Sequence, residues 1–187
     1  METKLDILRR YFGYTSFRRG QEEIVDALLT GRDALCVMPT GAGKSVCYQV
    51  PALLLPGITL VISPLISLMK DQVESLTQAG VHAAYLNSSL TPAQYSRALH
   101  NLSEGLYKLV YVAPERLSTE NFRTAVENLN ISLIAVDEAH CVSQWGQDFR
   151  PDYLKIAEFA ESLKNRPTIG AFTATATKAV RKDIAEI

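Results

Sequence analysis

The chain has few cysteines, a single tryptophan and almost no net charge. Its cysteines, Cys36, Cys47 and Cys141, are odd in number and show no Cys-x-x-Cys spacing. That pattern favours neither a disulfide framework nor a zinc site and leaves reduced, mostly buried thiols. No apolar run reaches the about 18 residues of a membrane-spanning helix, and no charged-then-apolar leader follows Met1. The expectation is a soluble, cytosolic protein with no membrane partner. The 19 basic and 20 acidic residues leave a net charge of −1, so the bulk electrostatics of a dedicated nucleic-acid binder are missing. Any DNA or RNA contact is then local, made by backbone amides and a few placed lysines, arginines and hydroxyls. There is no internal repeat, low-complexity tract or linker.

What is present is a chain of 187 residues with 47% hydrophobic content, enough to bury a sizeable core in one domain. Apolar runs alternate with helical segments. Strands are predicted at Ala34 to Met38, Ile58 to Ile62, Ala83 to Leu86, Leu109 to Val112, Leu133 to Val136 and Thr168 to Phe172. Helices are predicted near Lys4 to Tyr11, Gln21 to Leu29, Gly43 to Leu54, Leu65 to Gln78, Pro92 to Leu102, Glu120 to Asn128, Tyr153 to Leu163 and Lys178 to Ile187. Continuous apolar strands separated by helices imply an α/β fold, a mostly parallel sheet flanked by helices on both faces. Its sites then lie at the C-terminal ends of the strands.

At the first of those ends stands Met38-Pro39-Thr40-Gly41-Ala42-Gly43-Lys44-Ser45. A glycine-rich turn between a strand and a helix points backbone N–H groups at an anion, and the helix N-terminus adds positive potential. Thr40, Gly41, Ala42 and Gly43 form the cradle. Lys44 reaches the β and γ phosphates of a nucleoside triphosphate, and Ser45 supplies a hard oxygen ligand to its Mg²⁺. Met38 occupies the place of the first glycine of the general pattern, and an ordinary Gly-rich turn with an exposed lysine is the competing reading. The run Leu133 to Val136 delivers Asp137-Glu138-Ala139-His140, two carboxylates at a strand end. Asp137 suits the Mg²⁺, through water or directly, and Glu138 suits a general base acting on the attacking water. Together the two motifs make one specific signal.

Further segments stand in a recognisable order: Phe17-Arg18-Arg19-Gly20-Gln21, Ser63 through Gln72, Ala113-Pro114-Glu115-Arg116-Leu117, Ser143-Gln144-Trp145-Gly146 and Thr173-Ala174-Thr175-Ala176. As a set, with the phosphate loop and Asp137 to His140, they resemble the RecQ DNA helicases over essentially the whole chain. The resemblance implies that residues 1–187 form the first RecA-like P-loop domain of a superfamily-two motor, with an adenine-recognition motif within residues 1–30. It assigns Gln21 to adenine, whose N6 and N7 match an amide's donor and acceptor. Tyr14 resembles the aromatic that stacks on the base, with Arg18 beside it. Ordinary packing of an N-terminal helix pair is the alternative for Tyr14 and Phe17.

The loop from Trp145 to Arg150 carries Gln147, Phe149 and Arg150 with the tryptophan. Aromatics in a loop are core plugs or stacking platforms for unpaired bases, and the place beside the carboxylates favours a platform. The matching loop of the family couples single-stranded DNA to hydrolysis. Gln147 departs from the histidine usual there, which removes a titratable donor. Ser63 and Lys70 suit phosphates of a tracked strand, with a hydroxyl helix cap and a solvated lysine as the alternative; Arg116 is similar. Thr173 and Thr175 resemble the hydroxyls that link hydrolysis to domain motion, with a threonine helix cap as the alternative. His140 bridges the two roles, whereas His82 and His100 have no motif around them.

The resemblance further implies an ATP- and Mg²⁺-dependent 3′ to 5′ DNA helicase of recombination and repair, acting on single-stranded and partly duplex DNA. It would be cytoplasmic, nucleoid-associated in a bacterium and nuclear in a eukaryote. The chain reads as its N-terminal motor half. A second RecA-like lobe, which in two-lobed motors completes the ATP site with an arginine, is expected as its partner. A metabolic phosphoryl transferase, a non-hydrolysing nucleotide-gated module and an RNA helicase of the DEAD-box kind are the rival readings.

Overall fold

The computed structural model describes residues Glu2 to Glu186. Six strands form one sheet: β1 (Ala34–Val37), β2 (Ile58–Ile62), β3 (Ala83–Leu86), β4 (Leu109–Val112), β5 (Ile131–Val136) and β6 (Thr168–Thr173). The strand order is β1-β6-β5-β2-β4-β3, and every pairing is parallel. The expected mostly parallel sheet is wholly parallel. Eight α-helices accompany it: α1 (Lys4–Phe12), α2 (Gln21–Leu29), α3 (Lys44–Leu54), α4 (Ile66–Gln78), α5 (Pro92–Ser103), α6 (Glu120–Val126), α7 (Lys155–Ser162) and α8 (Lys178–Ala185).

The strands are apolar on both sides because both sides are covered. Leu60, Ile62, Val110 and Val112 point into one core with Phe122, Ile156, Phe159, Val180 and Ile184 of α6, α7 and α8. Val61, Leu109, Tyr111 and Ala135 point the other way, onto Leu28, Cys47, Met69 and Val73 of α2, α3 and α4. Such alternation follows from successive side chains of a strand facing opposite ways. A third cluster, Ile7, Leu8, Val25, Val46 and Val50, lays α1 over α2 and α3. The three cysteines are free and buried.

Several boundaries differ from the sequence reading. β5 begins at Ile131, where its pairing to Ile58 shifts register, and β6 runs on to Thr173. The region expected to be helical from Tyr153 starts as a 3₁₀ turn, Pro151–Leu154, and further 3₁₀ turns occupy Pro114–Ser118 and Ala139–Val142. These turns are too short to show a helical period in sequence. α6 ends at Val126, not Asn128. Ile187, the predicted last residue of α8, lies outside the described residues.

Candidate nucleotide and nucleic-acid site

The chemistry-bearing residues gather at the C-terminal edge of the sheet. The phosphate loop follows β1, Ser63 follows β2, Ala113 to Leu117 follow β4, Asp137 and Glu138 follow β5, and Thr173 ends β6. Gly41 and Gly43 have φ of 81° and 82°, the left-handed region that a side chain resists. Gly43 is required a second time, because a Cβ there would stand 2.5 Å from Nε2 of Gln21. Met38 needs no glycine: Glu138 is the sole non-glycine with positive φ among the described residues. The Met38 N–H donates to the Thr173 carbonyl at 3.0 Å, and its own carbonyl accepts from Nζ of Lys44 at 3.1 Å.

A cleft of about 300 Å³ opens on this loop, lined among others by Tyr14, Arg18, Gln21, Gly43, Lys44, Ser45 and Asp137. Residues predicted for base, phosphate and cation thus share one hollow, although Thr40 and Ala42 of the loop are not among those that line it. Tyr14 is half exposed with the Arg18 guanidinium 5.9 Å from its ring, whereas Phe17 packs on the α1–α3 cluster. Packing is therefore the fate of Phe17 and not of Tyr14. Gln21 is 4% exposed. Its carbonyl accepts the Arg18 N–H at 2.7 Å and its amide donates to the Gly43 carbonyl at 3.0 Å. The amide predicted to read adenine also grips the phosphate loop, as does Arg18, whose Nη1 donates to the Gly41 carbonyl at 2.9 Å. Sequence spacing did not reveal that second use.

Asp137 is 8% exposed, and burial, aggravated by the adjacent Glu138, pushes its carboxyl up to about 6 against the pull of Lys44. A buried carboxylate facing a lysine and a serine hydroxyl is a donor set suited to a hard divalent cation. No cluster of three or more His, Cys, Asp or Glu side chains stands together among the described residues.

Glu138 stands beside the cleft in a left-handed conformation, φ 49° and ψ 45°. Its Oε2 lies 3.4 Å from Nδ1 of His140, which lies 2.9 Å from the Thr173 hydroxyl. The Thr173 hydroxyl also lies 3.0 Å from the Thr175 carbonyl, to which it can donate. Neither threonine caps a helix; the cap of α8 is Thr177, which accepts from the Val180 N–H. Thr173 and Thr175 therefore belong to the strand-end network, and the helix-cap alternative is set aside.

The Trp145 loop leaves from the same strand end. Trp145 is 79% exposed, Gln147 is exposed, and Phe149 and Arg150 are partly buried. Both Nε and Nη2 of Arg150 are tied to Asp148, at 3.1 and 3.0 Å. Gly146 is forced by proximity, since a Cβ there would meet the His140 carbonyl at 2.7 Å. Ser63 is buried and its hydroxyl accepts from the Leu65 N–H at 3.4 Å, not from the first turn of α4, so the alternative of a helix cap is replaced by a local turn. Lys70 lies on the solvated face of α4, 3.8 Å from Glu74. Arg116 stacks over the Tyr95 ring at 4.8 Å. His82 and His100 are exposed and remote from these groups.

Fold and cleft define a P-loop nucleotide-binding domain with a parallel sheet. Residues 18–183 match the DEAD/DEAH box helicase family. The chain belongs to that family. It is 51% identical, over 98% of its length, to the ATP-dependent DNA helicase RecQ of Pasteurella multocida, of which it covers 29%. It is 50% identical over 95% of its length to the ATP-dependent DNA helicase RecQ of Bacillus subtilis, of which it covers 30%. The chain thus spans less than a third of these relatives. Among solved structures it is similar to a hypothetical ATP-dependent RNA helicase from Sulfolobus tokodaii, with a TM-score of 0.74 and 22% identity over the whole chain and 54% of that protein. It is also similar to the DUF1998 helicase MrfA bound to DNA, with a TM-score of 0.77 and 16% identity over the whole chain and 28% of that protein. These neighbours share the RecA-like fold. No helix among the described residues is long and apolar enough to cross a membrane.

Proposed function

We propose that the chain is the first RecA-like motor domain of a RecQ-type, ATP-dependent DNA helicase that moves 3′ to 5′ and serves recombination and repair. The observation that carries this reading is the shared edge of the sheet. There the phosphate loop, the Asp137-Glu138 pair and the exposed Trp145 loop follow strands β1 and β5, separated only by β6. The half-identity to RecQ helicases supports the choice of DNA over RNA. The helicase would work in the cytoplasm, on the nucleoid of a bacterium, or in the nucleus of a eukaryote.

In this mechanism Tyr14 and Gln21 hold adenine, with Arg18 beside them. The amides of Thr40 to Gly43 and the ammonium of Lys44 take the phosphates. Ser45 and Asp137 would hold a Mg²⁺ ion, which when bound would neutralise charge on the phosphate oxygens. Glu138 accepts the proton of the attacking water, and His140 keeps Glu138 in register with Thr173. Trp145 and Phe149 stack on bases of single-stranded or partly duplex DNA, with Gln147 and Arg150 at the same loop. Ser63, Lys70 and Arg116 follow the backbone, and Thr173 and Thr175 pass the state of the ATP site to a second RecA-like lobe.

The test is ATP hydrolysis with and without single-stranded DNA, by this chain alone and by the chain joined to a second RecA-like lobe. Strong DNA stimulation in the joined protein alone supports a half-motor. Equal DNA-stimulated turnover in the chain by itself removes the need for the lobe and overturns the two-lobe mechanism. Failure of Trp145→Ala to change DNA stimulation favours a phosphoryl transferase that has no use for the loop.

A further inference from the structure

The root of the Trp145 loop is tied to a helix that no motif assigns to it. Ser143 is fully buried; its hydroxyl donates to Oδ2 of Asp183 at 2.5 Å, and the Ser143 Oγ in turn accepts the Trp145 N–H at 3.2 Å. Asp183 lies on α8, forty residues further along the chain. One hydrogen-bonded line therefore runs from α8 through Ser143 to the backbone of Trp145.

The surroundings give that line its weight. Between loop and helix lies a hollow of about 390 Å³, lined by Val142, Trp145, Tyr153, Leu154 and Asp183 among others. On this side the loop meets open space and not a packed core. On its other side it is fixed by the close approach of Gly146 to the His140 carbonyl and by the Arg150 N–H, which donates to the Cys141 carbonyl at 2.8 Å. The α8 helix is capped by Thr177, just past Thr173 at the end of β6 and Thr175 beyond it. Its N-terminal end thus follows the strand that contacts His140, while Asp183 near its C-terminal end holds the loop.

The geometry points to Asp183 as the residue that positions the Trp145 loop, acting through the Ser143 hydroxyl. Asp183 does not line the phosphate-loop cleft, so its role is to position the loop and not to bind nucleotide. Its carboxylate fixes where the indole is presented, and any shift of α8 relative to β5 moves the indole with it. This rests on the reading of the loop as the DNA contact, and the experiment separates the two.

Trp145 is the single tryptophan of the chain, so its emission reports the loop alone. Steady-state anisotropy and acrylamide quenching of Trp145 are measured without DNA, then during titration with oligo(dT), with Mg-ATP affinity measured in parallel. Asp183→Ala is expected to lower the anisotropy, raise the quenching and weaken oligo(dT) binding roughly tenfold, the size of one lost hydrogen bond, with Mg-ATP affinity unchanged. Ser143→Ala should reproduce it, the double variant should add nothing, and Asp183→Asn, which keeps a carbonyl acceptor, should restore most of the wild-type signal. Wild-type anisotropy and quenching in both alanine variants overturn the assignment. So does loss of Mg-ATP affinity in Asp183→Ala, which makes the residue a support of the whole domain. If wild-type emission ignores oligo(dT), the DNA reading of the loop falls, while the DNA-free anisotropy still decides the anchor.

Discussion

Nδ1 of His140 lies 2.9 Å from the hydroxyl of Thr173, a residue on the neighbouring strand. The contact joins the end of β5, which presents the carboxylates, to the end of β6, whose Thr173 carbonyl accepts from the first residue of the phosphate loop. Thr173→Val keeps the shape of this fully buried side chain and deletes the hydroxyl. Mg-ATP affinity should stay within about twofold, while DNA-stimulated hydrolysis in the two-lobed protein drops about tenfold, the effect of one buried hydrogen bond. Steady-state ATPase assays with and without single-stranded DNA read both quantities.

Glu138 is held in a backbone conformation that costs a non-glycine residue about 1 kcal/mol or more. Replacing it separates stability from chemistry. Glu138→Gly is expected to raise the unfolding free energy by about 1 kcal/mol and to abolish turnover. Glu138→Gln keeps the strain and the nucleotide affinity but slows hydrolysis by about 10²–10⁴-fold, the usual worth of a general base. Denaturant melts and single-turnover hydrolysis distinguish the two.

Burial raises the Asp137 carboxyl from 3.8 to about 6, so the folded protein holds this proton more tightly than the unfolded chain does. The ionised carboxylate therefore costs stability above that value, and the cost is relieved as pH falls from about 6 toward 4. Two pK units correspond to about 3 kcal/mol as an upper figure. Asp137→Asn should melt above the wild type near pH ~8 in Mg²⁺-free buffer, with the difference shrinking by about pH 5. Thermal denaturation at both values checks it, and an equal difference at both would deny the burial effect.

Gly43 meets two constraints, a φ of 82° and the amide of Gln21 where its Cβ would go. Gly43→Ala should cost about 1–2 kcal/mol from the backbone alone, and more from displacing Gln21. Adding Gln21→Ala should recover the steric part and leave the backbone part. Nucleotide affinity should stay low in both. Calorimetric titration of Mg-ATP alongside thermal melts resolves the components.

The strands were legible because each is a short run apolar on both faces, and β2, β3 and β4 begin and end at the residues read from sequence. The gathering of Lys44, Ser45 and Asp137 in one cleft was legible too, since strand ends in a parallel sheet share an edge. What escaped depends on side-chain direction. The left-handed turn at Glu138, the grip of Gln21 on Gly43 and the bond from Ser143 to Asp183 involve residues whose types also suit ordinary surface or cap positions. Charge and period do not encode them. Lys70 and Ser63 kept both readings open in sequence, and the structure adds a solvated ion pair with Glu74 for Lys70 and a local turn for Ser63, neither of which conflicts with phosphate contact.

The strand order has a further outcome for assembly. β6 is the latest strand among the described residues yet lies between β1 and β5, and among those residues β1 pairs with β6 alone. During synthesis the phosphate loop therefore emerges early but has no sheet to rest on until residues Thr168–Thr173 leave the ribosome. A nascent chain halted before that point would carry every residue of the phosphate loop and still lack the wall against which the loop closes.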